Sequence, residues 1–178
     1  LVAVTRRPDL VPEGVEPVEL AARPQELRMA LALPRALRRL GACLVHTQYA
    51  LPLRCPCPAV VTIHDLSFER DPGLMGRWHR TVFGVTVPRA ARAAVRVLTV
   101  SERSKRDFIE LYGLHPDRIV VTPNGVDPVF RPGERGSRAY VLSVGAIQRR
   151  KNQPLALAAA QEVGLPLVIA GPEKDAAV

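Results

Sequence analysis

An α/β fold built on parallel strands is what this 178-residue sequence predicts, and three observations carry the expectation. Short β-branched runs alternate with longer stretches of helical periodicity, the pattern of repeated βα units. Several strand-like runs pass through a glycine or a polar turn directly into a helix, as in "YVLSVGAIQRRKN" and "VLTVSERSKRDF". Hydrophobic residues make up 47% and charged residues 24%, a balance that suits a globular chain and argues against disorder.

In chain order, strands are expected at 1–5, 43–46, 59–63, 95–100, 119–122, 139–145 and 167–170, where aliphatic and β-branched residues cluster between turn formers. Helices are expected at about 24–40, 76–94, 101–112 and 152–163. Pro34 interrupts "ALALPRALRR" and should kink or split the first helix, because it lacks the N–H that continues the ladder. Ser101 follows a strand and can cap the helix opening at Glu102, whose charge suits a helix N-terminus. Gly113 stops that helix; within it Phe108, Leu111 and Tyr112 share an apolar face, leaving Arg103, Lys105 and Arg106 in solvent. Prolines, glycines and charges cluster in "GVDPVFRPGERGSR", which places a domain boundary near 131–138. Residues 1–130 then form one domain, and 131–178 a linker and the opening of a second. Two strands and one helix cannot close a parallel α/β domain alone, so the second domain reads as cut short or docked on something.

The formal net charge of +8 and pI near 10.2 allow nucleic acid, an anionic membrane surface or phosphorylated substrates as partners. Only Lys105, Lys151 and Lys174 among the 25 basic residues are lysines, and arginine suits bidentate phosphate binding. With 4% aromatic residues and no Lys/Arg-Gly-Phe signature, nucleic acid is not the expected partner. The longest apolar runs fall far short of the roughly 20 residues of a spanning helix, and Leu1 opens directly into a strand without a charged leader. Cys43, Cys55 and Cys57 are odd in number and lack zinc-finger spacing, so they read as reduced thiols of a cytoplasmic protein without a metal site.

Four segments stand at the ends of expected strands, where open α/β sheets hold ligands. "VVTIHDLSF" delivers His64 and Asp65 to such an edge, where they could bind sugar hydroxyls or move a proton. An Asp capping a turn beside an incidental His is an equal alternative. "VSERSKRDF" reads as strand, cap and helix, and Glu102 and Glu110 within it as solvated helix residues rather than a catalytic pair. In "VTPNGVDPVF", Asn124-Gly125 supplies the positive φ of a tight turn and lets backbone approach a ligand or a neighbouring domain. In the last, Gly145 ends a strand and a helix begins near Asn152, so helix N–H groups with Arg150 and Lys151 would form an anion site. Charge-run statistics alone would make Arg149, Arg150 and Lys151 a solvated loop.

Taken together, "VTIHDLSF", "VLTVSERSKRDFIELYGLHPDRIVVTPNGVDPVF" and "YVLSVGAIQRRKNQPLALAAA" resemble the retaining, GT-B-fold glycosyltransferases called group 1 or family 4, the mannosyltransferase-like members above all. The resemblance implies two Rossmann-like domains with the active site in the cleft between them, the donor mainly on the C-terminal domain and the acceptor on the N-terminal one. Carried over by position, His64 resembles the histidine that contacts the transferred sugar, with Asp65 beside it. Lys151 resembles the lysine that binds the donor diphosphate, assisted by Arg150, while Asn152 caps the helix. Gly145 ends the strand before them, and Asn124, Gly125 and Asp127 match the turn into the linker. The resemblance implies no metal and no separate cofactor: fixed cations and helix N–H groups would stabilise the departing nucleoside diphosphate. Its implied partners are a nucleotide sugar, with GDP-mannose the first guess, and a glycan or lipid-linked acceptor. Peripheral association with the inner face of an anionic membrane would then use Arg77, Trp78, Arg80, Arg89, Arg92 and Arg96. Three departures stand out: Ala146 occupies a position where many relatives carry Arg, the family's glutamate pair falls beyond Val178, and the first strand and glycine-rich acceptor loop are missing before "LVAVT". The isolated chain is therefore expected to have little activity of its own.

Overall fold

Every strand pairing among the described residues is parallel, as the alternating pattern requires. The computed structural model describes residues 1–20, 27–71, 73, 76–133, 139–148 and 151–173, and the chain divides into two compact units, Leu1–Asn124 and Gly125–Val178.

In the first unit, β1 (Val2–Thr5) pairs with β2 (Glu16–Glu19) as a two-stranded sheet. β3 (Val45–Gln48), β4 (Ala59–Thr62), β5 (Arg96–Thr99) and β6 (Ile119–Val121) form a four-stranded sheet in sequence order. The sequence reading did not foresee β2, because "EPVE" carries two glutamates and a proline. Pro17 is tolerated because β2 has a single neighbour among the described residues, and an edge strand can leave one side of its backbone unpaired.

Helices lie between β2 and β3, β4 and β5, and β5 and β6, while β3 and β4 are joined by turns. The expected helix at 24–40 is described from Leu27 onward: a π-helical turn at Arg28–Ala32 runs into α1 (Leu33–Arg39). Leu33 N–H reaches Arg28 O, five residues back, and Pro34 stands where α-helical spacing resumes. The proline thus marks the predicted break, as a change of helical pitch. α2 (Ser67–Arg70) is a single turn, and α3 (Arg77–Ala93) carries Pro88 inside it. The Arg118 guanidinium closes the end of α3, donating to the carbonyls of Arg92 at 2.8 Å and of Ala94.

α4 (Glu102–Tyr112) has both expected caps. Ser104 N–H donates to Ser101 Oγ at 3.1 Å, and Gly113 adopts φ 64° while its N–H returns to Ile109 O. Phe108 and Tyr112 are buried, but Leu111 is 38% exposed and leaves the expected apolar face. Arg103 lies 3.5 Å from the buried Asp107 carboxylate, which Arg70 also holds at 2.7 Å, pinning α2 to α4. Val61, Ile63, Val97, Val87, Ala90 and Phe108, all fully buried, centre the core between sheet and helices.

The second unit contains β7 (Val141–Val144), α5 (Gln153–Glu162) and β8 (Leu167–Ala170), a single βαβ crossover. Its strands expose Leu142, Val144, Val168 and Ile169.

Candidate functional site

The C-terminal edge of the four-stranded sheet gathers Tyr49, just past β3, and His64, just past β4; their rings lie 5.9 Å apart. His64 is half-buried, and its carbonyl is held by two hydroxyls, Thr99 Oγ at 3.2 Å and Ser104 Oγ at 3.0 Å. Those donors come from the end of β5 and the first turn of α4. The histidine backbone is thereby fixed by the strand-cap-helix segment beside it, at the strand ends where open α/β sheets take ligands.

Asp65 behaves as the turn-capping alternative described. Its Oδ1 accepts from Ser67 N–H at 2.9 Å and Ser67 Oγ–H at 2.6 Å, which starts α2. The other carboxylate oxygen has no hydrogen-bond partner among the described residues, and the side chain is exposed.

Tyr49 is a residue the sequence did not announce. It holds φ 59°, a left-handed conformation that is uncommon for a bulky side chain and that clusters at functional sites. Three contacts impose it: Tyr49 N–H to Thr62 O at 3.0 Å, Ala50 N–H to Gln48 O at 2.7 Å and Thr47 Oγ–H to Ala50 O at 2.7 Å. The ring also packs 5.6 Å from Phe83. Burial, chiefly, and the Asp65 charge push the phenol pKa up, while the backbone amides of His64 and Asp65 partly offset this. The phenol therefore stays protonated at neutral pH and can donate a hydrogen bond.

Asn124 and Gly125 do not form the positive-φ turn expected of them; neither has φ above zero. The turn comes three residues later. Asp127 Oδ1 accepts from Val129 N–H and Asp127 O from Phe130 N–H, both at 2.9 Å. Asp followed by Pro at the next position is the ordinary signature of a turn started by a side chain, and here it prevails over Asn-Gly.

In the second unit, Gly145 at the end of β7 has φ 149°, and a Cβ there would stand 3.7 Å from Lys151 Cε. The lysine side chain thus passes over the glycine. Its backbone is set by Lys151 N–H to Gln148 O at 2.9 Å. Asn152 occupies the N-cap of α5, but at φ 50° and ψ 46° its side chain makes no capping bond. This corrects the expected side-chain cap: the left-handed backbone, which Asn tolerates, turns the amide away from the helix N–H groups. Gln153 instead turns back, donating from Nε2 to Ala146 O at 3.0 Å, while its buried Oε1 has no partner among the described residues. Arg149 and Arg150 lie outside the described residues.

Gly171, just past β8, was also missed. A Cβ on it would meet Gly145 O at 2.1 Å, so the two strand ends meet backbone to backbone. Gly145 N–H donates to Ala170 O and Ile147 N–H to Pro172 O, both at 2.9 Å. The signal in the sequence is a second strand-glycine ending, "LVIAG", matching "LSVG".

Of the cations expected to face a membrane, three have internal work. Arg89 clamps the carbonyls of Leu51, Pro52 and Leu53 at 2.8–3.1 Å. Arg92 sits over the Tyr112 ring at 5.6 Å, and Arg96 donates to Val95 O at 3.0 Å. Arg77, Trp78 and Arg80 remain exposed at the start of α3. The three cysteines are unpaired, and burial with the neighbouring Cys55 and Cys43 raises the Cys57 thiol.

Comparison with known proteins supplies the family. A solved glycosyltransferase from Rickettsia africae aligns with 98% of this chain and 60% of its own at 16% identity and a TM-score of 0.49. A curated D-inositol 3-phosphate glycosyltransferase from Acidothermus cellulolyticus is 31% identical over 176 residues, covering 85% of this chain. The chain spans only 38% of that relative's length. The family model for Glycosyltransferase Family 4 matches residues 2–130, nearly three-quarters of the sequence, including both strands and helices around His64. The chain belongs to glycosyltransferase family 4.

Proposed function

We propose that this chain serves a transferase that moves a hexose, with retention, from a nucleotide-diphosphate sugar to a hydroxyl of a glycan or lipid-linked acceptor. GDP-mannose is the first donor to test. The observation that carries the donor assignment is Lys151 lying over Gly145 between a strand end and the start of α5. A primary amine set against bare backbone leaves room for a diphosphate to meet both the cation and the amides that follow. Arg150 adds charge to the same loop in this reading, and Gly125 and Asn124 belong to the segment that leads toward it. His64 contacts the transferred sugar, assisted by the Tyr49 phenol, and Asp65 orients the loop through Ser67.

Charge stabilisation of the departing diphosphate makes the chemistry work without a separate cofactor. One fixed cation or donor aimed at developing charge is worth roughly 10²- to 10³-fold in turnover. In this proposal the reaction takes place in the cytoplasm, with the acceptor at or near the inner membrane surface.

The test is transfer from radiolabelled GDP-mannose and other nucleotide sugars by the protein expressed over its whole reading frame, with product analysis for anomeric configuration. Lys151→Ala should lower turnover by about 10²-fold or more. Wild-type turnover in that variant would remove Lys151 from the donor site.

A further inference from the structure

At the C-terminal ends of β1 and β2 lies a concavity of about 310 Å³ lined by Val4, Thr5, Arg6, Arg7, Leu20 and Arg28. We infer that it is a binding site for a phosphate monoester, with Arg6 and Arg28 as its principal ligands and Arg7 as a fixed third cation.

The arrangement follows from the two parallel strands. Leu20 N–H donates to Thr5 O at 2.8 Å, so the strand ends stay together where they deliver Arg6 and Arg7. Val4 and Leu20 pack against the hydrophobic core and give the concavity an apolar floor. The π-helical turn brings Arg28, half-buried, to its wall. Arg7 is preset: its Nε donates to Asp9 Oδ1 at 2.9 Å and its Nη2 to Asp9 Oδ2 at 2.7 Å, while its backbone N–H donates to Thr5 Oγ at 3.0 Å. Among the described residues, the side chains of Arg6 and Arg28 have no hydrogen-bond or ion-pair partner.

Three guanidinium groups therefore share one concavity, and among the described residues Asp9, on Arg7, is the one carboxylate paired with them. Like charges gathered over an apolar floor repel one another more strongly than in open water. An anion of charge near −2 with several acceptor oxygens removes that repulsion, and the guanidinium fork matches phosphate geometry. A phosphate monoester carries about that charge at neutral pH. The volume accommodates the phosphate and a small polyol. The location, at the C-terminal edge of parallel strands, is where open α/β sheets take ligands. Every residue lining the concavity belongs to the first unit, so this site and the donor assignment can fail separately.

The experiment is calorimetric titration of the chain with glycerol 3-phosphate, with glycerol as the uncharged control and ionic strength held constant. Saturable 1:1 binding of the phosphate alone is expected. Arg6→Gln/Arg28→Gln should weaken it by about tenfold or more, while Arg38→Gln/Arg39→Gln, with the same change of charge on α1, should leave it unchanged. Arg28→Lys tests the fork and should fall between. Flotation with phosphatidic acid vesicles distinguishes the source of the phosphate. Binding of the vesicles but not of the soluble ester, lost in the Arg6/Arg28 variant, supports the same site with a lipid headgroup as its ligand. Equal losses in both double variants, or no saturable binding of either probe, would overturn the inference.

Discussion

Replacing Gly171 by alanine is the sharpest structural test of the second unit, because the new methyl has nowhere to go. Its Cβ would lie 2.1 Å from Gly145 O and 2.5 Å from Gly145 C, more than an ångström inside ordinary contact. Both offending atoms are backbone, so no rotamer change relieves the overlap. The strand ends must separate, which removes the Gly145 N–H to Ala170 O and Ile147 N–H to Pro172 O bonds. Overpacking costs about 1–3 kcal/mol, and two lost hydrogen bonds add about 1 kcal/mol each. The local penalty of about 3–5 kcal/mol should speed amide exchange at Gly145 and Ile147 by roughly 10²- to 4 × 10³-fold. Exchange mass spectrometry or NMR on the whole chain reads this, with the amides of β4 and β5 as internal standards. Gly125→Ala provides the contrast: nothing lies within 4 Å of its Cβ and its φ is not positive, so both amides should keep their protection. If Gly171→Ala leaves Gly145 and Ile147 as protected as in the parent, the backbone contact is not what shapes the loop carrying Lys151.

Two further outcomes concern the first unit. Tyr112 is buried and donates to Glu69 Oε1 at 2.9 Å; burial first, then that carboxylate, raise its pKa well above the ordinary value. The protonated phenol is thus favoured in the folded state. Its contribution to stability is intact below the unfolded tyrosine pKa near 10 and is lost as pH rises beyond it. Denaturant titrations between neutral and strongly alkaline pH should show a steeper alkaline decline for the parent than for Tyr112→Phe, and parallel curves would refute the assignment. Arg89→Gln should release the three carbonyls of the loop after β3, at a cost of about 1.5–3 kcal/mol, because hydrogen bonds to a charged donor are being removed. Urea midpoints measure this, and a change below about 0.5 kcal/mol, typical of ordinary surface substitutions, would return Arg89 to the exposed cations.

What could be read in advance was whatever short-range chemistry decides. Ser101 and Gly113 bound α4 through contacts no more than five residues apart, so their roles were visible in the letters. His64 was legible because an aliphatic run delivers it to a strand end. Asn124-Gly125 misled for the complementary reason: a favourable dipeptide does not turn the chain when Asp127-Pro128, a few residues on, already does. Long-range requirements left little trace. Gly171 is glycine because the backbone of Gly145 passes beside it, 26 residues earlier in sequence. Arg89 looked like a surface charge because the carbonyls it clamps lie 36 to 38 residues away.

Tyr49 and His64 bear on a deeper limit, the separation of structural from functional segments. The stretch "VLTVSERSKRDF" reads as strand, cap and helix, and it is all of these. Yet Thr99 and Ser104 in it supply the two hydroxyls on the His64 carbonyl, and Ser101 caps the helix by accepting from Ser104 N–H while its own hydroxyl donates to Ser104 Oγ. A cap residue costs about 1 kcal/mol to remove in stability terms alone. Here it also stands one hydrogen bond away from a hydroxyl that fixes the backbone of the candidate sugar-contacting residue. Tyr49 has the same double character: its left-handed backbone depends on Thr47 and Thr62, which belong to β3 and β4. The strand ends therefore do not merely present a site built elsewhere. Their own hydrogen bonds set the positions of both rings, which is why a residue can be essential to the site while its local sequence looks purely architectural.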